Sequence, residues 1–145
     1  PGTDPLGADN ILVVALSVVT GAPLSGFSRY TIAAKSPLTG GFAETEAGGY
    51  FGPELKFSGY DAVFFRGLSD KPAYLLITDG KAELKDAGHL WGKDTLETEA
   101  ALADELGKGA RVSSIGSAGE QVSLISSIMK SRNAATRFDC RNSSG

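Results

Sequence analysis

Lys35–Gly59 reads KSPLTGGFAETEAGGYFGPELKFSG, a stretch with six glycines that leads into a short helical segment. Gly40, Gly41, Gly48, Gly49 and Gly52 carry no side chain to keep a large ligand off the backbone, and amide N–H groups along such a path can point at an anion. Pro53 suits the first turn of a helix running to about Phe57, with Gly59 as its stop. A helix start just after a Gly-Gly pair favours negative charge through its free amides and dipole. On composition alone the commoner reading is a glycine-rich connection between strands.

Working outward, β-type runs predict strands near Ile11–Val19, Arg29–Lys35, Ala62–Arg66, Ala73–Thr78, Lys81–Lys85, Arg111–Ile115 and Val122–Ile128. Asp79-Gly80 between two of these runs is a two-residue hairpin signal, because a type I′ turn needs positive φ at both positions. Asp94 is placed to cap a second helix with Glu97 closing a capping box, and Gly107 to end it. Leu96, Ala100, Ala103 and Leu106 are expected to line its inner face. Strands joined by hairpins, with only two or three helices, argue for an antiparallel α+β fold rather than a doubly wound sheet.

The composition limits the function classes. The 145 residues, 41% of them hydrophobic, suffice for one core and one domain spanning residues 1–145. A net charge of −3 without a long basic run gives no footprint for nucleic acid. The apolar run Ile11–Val19 is too short to span a bilayer. A single cysteine excludes a disulfide framework and an all-cysteine cluster within these residues, in keeping with a reducing cytoplasm. Neither nucleic acid nor a membrane is expected as a partner. No dinucleotide fingerprint and no GxxxxGK[ST] loop is present.

Individual residues offer several chemistries. Arg29 follows the turn Ser25-Gly26-Phe27-Ser28 at the start of a strand, where a guanidinium either reaches a phosphate with its paired donors or is simply exposed. Glu44 and Glu46 form a carboxylate pair that can bind a metal or share a proton, though most such pairs are only solvated. Tyr50-Phe51 either covers a planar ligand or anchors the Gly-Gly turn to the core. His89 and Cys140 cannot by themselves close a zinc site. They read more simply as a loop histidine packed near Trp91 and an unactivated thiol.

The order of these segments resembles the N-terminal domain of the aldehyde ferredoxin oxidoreductase family of tungsten-pterin enzymes. The resemblance runs through DPLGADNILVVA (Asp4–Ala15), TGAP (Thr20–Pro23), RYTIAAKSPLTGG (Arg29–Gly41) and AGGYFGPELKFSGYDA (Ala47–Ala62). It continues through KPAYLLITDGKAELKDAGHLWGKDTLETE (Lys71–Glu99) and SIGSAGEQVSLISSIM (Ser114–Met129). It begins some tens of residues into the family's usual N-terminal domain and stops before its end, so the chain is read as a truncated piece of a longer enzyme.

This resemblance implies a fold of antiparallel sheets in a pseudo-twofold sandwich, each sheet backing one pterin. It implies a tungsten or molybdenum bis-pterin, a magnesium ion bridging the two pterin phosphates, and a 4Fe-4S cluster whose cysteines lie outside these residues. Arg29 would stand between the pterin and the cluster. Gly48, Gly49 and Tyr50 would contact the cofactor, and the backbone carbonyl of Glu46 would ligate the magnesium. In the preferred register of the C-terminal segment, which also aligns Arg141 and Gly145 with the family, Arg137 and Arg141 contact phosphate and Phe138 supplies the second carbonyl. In the other, Ala134 supplies it, preceded by Asn133. No catalytic acid or base is nominated. The implied reaction oxidises an aldehyde to a carboxylic acid with ferredoxin as acceptor, in company with the enzyme's remaining domains. Another substrate such as an aromatic thioester, a homodimer, and a non-catalytic cofactor-binding scaffold stay open.

Overall fold

The structure, a computed structural model, describes residues 2–130 and the backbone of 133–136. Among the described residues it has nine strands in three antiparallel arrangements and three α-helices, the α+β class expected from the hairpin-linked strands. The elements run β1 Ile11–Leu16, β2 Tyr30–Lys35, β3 Phe42–Ala47, α1 Phe51–Phe57, β4 Ala62–Arg66, β5 Ala73–Thr78 and β6 Lys81–Asp86. Then come α2 Thr95–Leu106, β7 Ser113–Ile115, α3 Ser117–Glu120, β8 Ile128–Lys130 and β9 Asn133–Thr136.

Four strands form the main sheet in the order β3-β2-β1-β4. Val14 faces Ile32 and Leu16 faces Tyr30 across β1 and β2, while Leu12 faces Phe65 across β1 and β4. Strand alternation sends all of these to one side. There Leu12, Val14, Tyr30, Ile32 and Ala34 form the core with Leu55 of α1 and Ile128 of β8. On the same side β3 contributes only Ala43, Thr45 and Ala47, opposite Ala34, Ile32 and Tyr30. Such small inward residues hide a period-two pattern from a hydrophobicity reading, and β3 therefore interrupts what the sequence suggests is one continuous loop.

A smaller hairpin, β5-β6, turns at Asp79-Gly80 with φ of 51° and 77°, as the dipeptide predicts. Helix α2 opens on the expected capping box: the Asp94 carboxylate accepts from the amides of Leu96 and Glu97, and Glu97 accepts from the amide of Asp94. Its inner face is not the expected one. Thr98 and Leu102 are buried while Leu96 and Leu106 are exposed. Leu102 packs on Ala87, Leu90, Tyr74 and Val112, so the neighbouring hairpin, not the count of apolar residues, sets the rotation of the helix.

In the third sheet, β7-β8-β9, strand β8 begins later than the run Val122–Ile128 suggested. Val122 takes φ of +64° just after α3, and the amides of Val122 and Ser123 bond back to Gly119 and Ala118. That hydrogen-bond pair ends a helix rather than starting a strand, and pairing resumes only at Ile128. Strand β9 lies beside β3, bringing the third sheet against the edge of the first.

Candidate functional site

The glycines of the opening stretch fall at opposite ends of the β2–β3 pair. Gly40 and Gly41 lie in the turn between the two strands, where the Gly40 amide donates to Ser36 and the Ser36 amide donates to Gly41. Gly48 and Gly49 follow β3 at the far end, beside Ser28 and Arg29, which precede β2. The second pair alone sits with the other expected site residues.

This corner is fastened from several directions. The amide of Gly49 donates to Ser28 Oγ at 3.2 Å. Thr20, buried in the TGAP segment, donates from its hydroxyl to the carbonyl of Arg29 at 2.8 Å. Gly52 in the first turn of α1 comes so close that a Cβ there would lie 3.1 Å from the Ser28 carbonyl oxygen and 3.3 Å from the Tyr30 ring. Ser28, Arg29 and Tyr30 are thus held between the TGAP turn and α1. Because α1 has only seven residues, the backbone turn and the flanking side chains, rather than a helix dipole, give the corner its character.

Arg29 forms an ion pair with Glu46 at 3.6 Å, with both side chains more than 60% exposed. So exposed and long a pair contributes under about 1 kcal/mol, leaving the guanidinium free to exchange its partner for a more highly charged anion. Glu44 and Glu46 share the outer face of β3 by strand alternation. Among the described residues, no three His, Cys, Asp or Glu side chains gather as a metal site.

The two aromatic residues divide their roles. Phe51 packs its ring 5.2 Å from that of Tyr30 and anchors the turn to the core. Tyr50 is 70% exposed, and the Arg111 guanidinium lies 5.1 Å from its ring centroid, a cation–π contact.

Lys130 is the residue that the sequence did not suggest. It closes β8 with only 7% of its surface exposed. Its Nζ occupies the space a Gly49 Cβ would take and lies 5.9 Å from the Tyr30 ring centroid. Burial pushes its pKa below the ordinary lysine value. Tyr30 is 1% exposed, and its hydroxyl finds no hydrogen-bond partner among the described residues. Burial raises its pKa to about 12. Arg29, Arg111 and Lys130 are far apart in sequence, so no spacing motif links them.

Arg29, Glu46, Gly48, Gly49 and Tyr50 therefore come together. Arg137, Phe138, Cys140 and Arg141 lie outside the described residues. Ala134 of the alternative register falls in β9, paired with Met129 and beside β3. His89 sits in a 3₁₀ turn, Gly88–Leu90, with Nε2 3.2 Å from Glu105. Glu105 also accepts a hydrogen bond from the Tyr74 hydroxyl, so His89 belongs to the contacts that tie α2 to its hairpin.

Residues 1–140 match the family profile described as aldehyde ferredoxin oxidoreductase, N-terminal domain. The chain belongs to this family. It is 44% identical over 130 residues to a tungsten-containing aldehyde ferredoxin oxidoreductase of Pyrococcus furiosus, and 45% identical over 130 residues to that of Thermococcus kodakarensis. Each match covers 89% of this chain but 22% of the relative, so the chain spans about a fifth of the length of these proteins. A P. furiosus aliphatic sulfonate oxidoreductase, WOR-like subunit, is 35% identical over 106 residues, covering 71% of this chain and 16% of that protein. Among solved structures, a chain of the active-site complex BamBC of benzoyl coenzyme A reductase, in complex with 1,5-dienoyl-CoA, superposes with a TM-score of 0.90. It shares 38% identity over 94% of this chain and 21% of its own. In this family setting the Arg29, Gly48-Gly49 and Lys130 corner is the candidate cofactor seat.

Proposed function

We propose that this chain is the portion of an oxidoreductase that seats a tungsten (or molybdenum) bis-pterin, in an enzyme that oxidises aldehydes to carboxylic acids and passes electrons to ferredoxin. The observation that carries the reading is the corner itself. A glycine pair without side chains is flanked by an exposed guanidinium whose one carboxylate contact among the described residues is 3.6 Å long, and by a lysine that fills the missing side-chain volume of Gly49. A phosphate-bearing cofactor fits such a cradle, since backbone, guanidinium and ammonium can all donate to its oxygens.

In this reading the chain binds and orients, the usual protein share of cofactor chemistry. Gly48 and Gly49 admit the phosphates, Arg29 pairs with them, and Tyr50 covers the cofactor. The backbone carbonyl of Glu46 would be one of the ligands that hold a magnesium ion at the phosphates. For the second ligand, the Ala134 register is supported by β9 lying beside β3, while in the other register Phe138 would offer the carbonyl and Arg137 and Arg141 would contact phosphate. Once bound, the metal-pterin would supply two-electron redox chemistry, with a 4Fe-4S cluster as its one-electron neighbour in the enzyme. The match to benzoyl coenzyme A reductase at 38% identity supports a second reading with an aromatic thioester as substrate. The 44–45% identity to aldehyde enzymes favours the first.

Metal analysis of the native protein, purified without oxygen, tests the reading. About one tungsten or molybdenum and about four irons per chain are expected, and Arg29→Ala should lower cofactor content. A folded native protein with none of these metals, or an Arg29→Ala variant with full tungsten loading and full activity, would overturn it in favour of a non-redox scaffold.

A further inference from the structure

Lys130 is a buried cation that no carboxylate pairs with among the described residues. The residue is 7% exposed, yet among the described residues its ammonium lies in none of the ion pairs. Burying an ammonium without a counter-charge is one of the costlier arrangements a fold can hold. The Tyr30 ring, 5.9 Å from Nζ, offsets part of that cost by presenting electron density to the cation. It satisfies none of the three N–H donors.

The placement is specific. Nζ occupies the volume that a Gly49 side chain would fill, at the same glycine whose amide is fastened to Ser28. Tyr30 and Ala47 pair on the inner side of the sheet, whereas Glu46, the partner of Arg29, lies on the outer side. Arg29 and Lys130 therefore reach the glycine pair from opposite faces. A group with several acceptor oxygens can bridge two such cations where a single carboxylate from the chain cannot.

We propose that Lys130 is a second cationic arm of the corner, its ammonium binding a phosphoryl oxygen held at Gly48-Gly49 from the face opposite Arg29. This inference rests on the corner being the cofactor seat. The depressed lysine pKa agrees with an ammonium desolvated in advance, which a bound oxyanion would restore to full charge.

The test is Lys130→Met in the native protein, read by tungsten and pterin content, by the rate of cofactor release on dilution, and by the melting temperature of the cofactor-free form. Release is expected to quicken about ten- to hundredfold, the loss of one charge-assisted hydrogen bond. The cofactor-free form should melt at the same temperature or higher, because an uncompensated charge is gone. Lys130→Gln gives the same reading should the methionine variant fail to fold. Unchanged release in Lys130→Met alongside faster release in Arg29→Ala overturns the proposal and leaves the seat standing. Unchanged release in both overturns the seat as well. A lowered melting temperature in the cofactor-free form, equal to that in the loaded form, makes Lys130 a salt-bridge partner within the fold and also overturns the proposal.

Discussion

Tyr30→Phe should make this protein more stable. The ring is 1% exposed and packs against Phe51 at 5.2 Å, contacts that phenylalanine keeps. What is removed is a hydroxyl with no partner among the described residues. An unsatisfied buried hydroxyl costs about 1–3 kcal/mol, and the void left by one oxygen takes back a few tenths of that. The net gain is about 1–2 kcal/mol, which for a chain of this size raises the melting temperature by roughly 3–8 °C. Thermal unfolding of the cofactor-free protein followed by circular dichroism reads it directly.

A pH series adds an independent check. The Tyr30 phenol titrates near 12 in the folded protein and near 10 in the unfolded chain. Between those values the unfolded chain has already lost the proton that the native state retains, so stability falls as pH rises through the window. The Tyr30 share of that fall is about 2–3 kcal/mol, and the phenylalanine variant lacks it. Its advantage over the parent should therefore widen from pH 10 to 12. A loss of 1 kcal/mol or more at neutral pH, or an advantage that stays flat across the alkaline range, would refute the reasoning by showing that the hydroxyl has a partner.

Two local substitutions should behave differently. Gly52→Ala places a Cβ 3.1 Å from the Ser28 carbonyl oxygen, a backbone atom with little freedom to move. We expect a loss of about 1–3 kcal/mol in denaturant unfolding, with weakened cofactor retention because Arg29 is displaced along with Ser28; unaltered stability would contradict the close packing. Asp94→Ala removes both capping bonds to the amides of Leu96 and Glu97. It should cost about 1 kcal/mol without changing cofactor content, and hydrogen exchange should localise the loss to the first turn of α2.

Much of the fold was legible in the residues because its signals are local. Asp79-Gly80 demands a turn with two positive φ angles, and Asp94 with Glu97 satisfies donors within three positions. The site was legible in part. Arg29, Gly48, Gly49 and Tyr50 stand in order along the chain, and their family pattern placed them together before any geometry. Strand β3 was missed because Ala43, Thr45 and Ala47 are too small to mark a buried face. The inner side of α2 was misplaced because Leu102 packs on Tyr74, Ala87 and Leu90, twelve or more positions earlier.

The sequence by itself determined the family, the antiparallel class and the caps and turns, since each depends on residue order or on bonds closed within a few positions. Tertiary structure alone decided that Lys130 meets Gly49, that Tyr30 buries beside it a hydroxyl with no partner among the described residues, and that the glycines divide between two ends of a strand pair. The first two follow from contact between segments eighty or more residues apart, and the third from the register of β2 on β3, none of which a hydrophobicity pattern in the chain encodes.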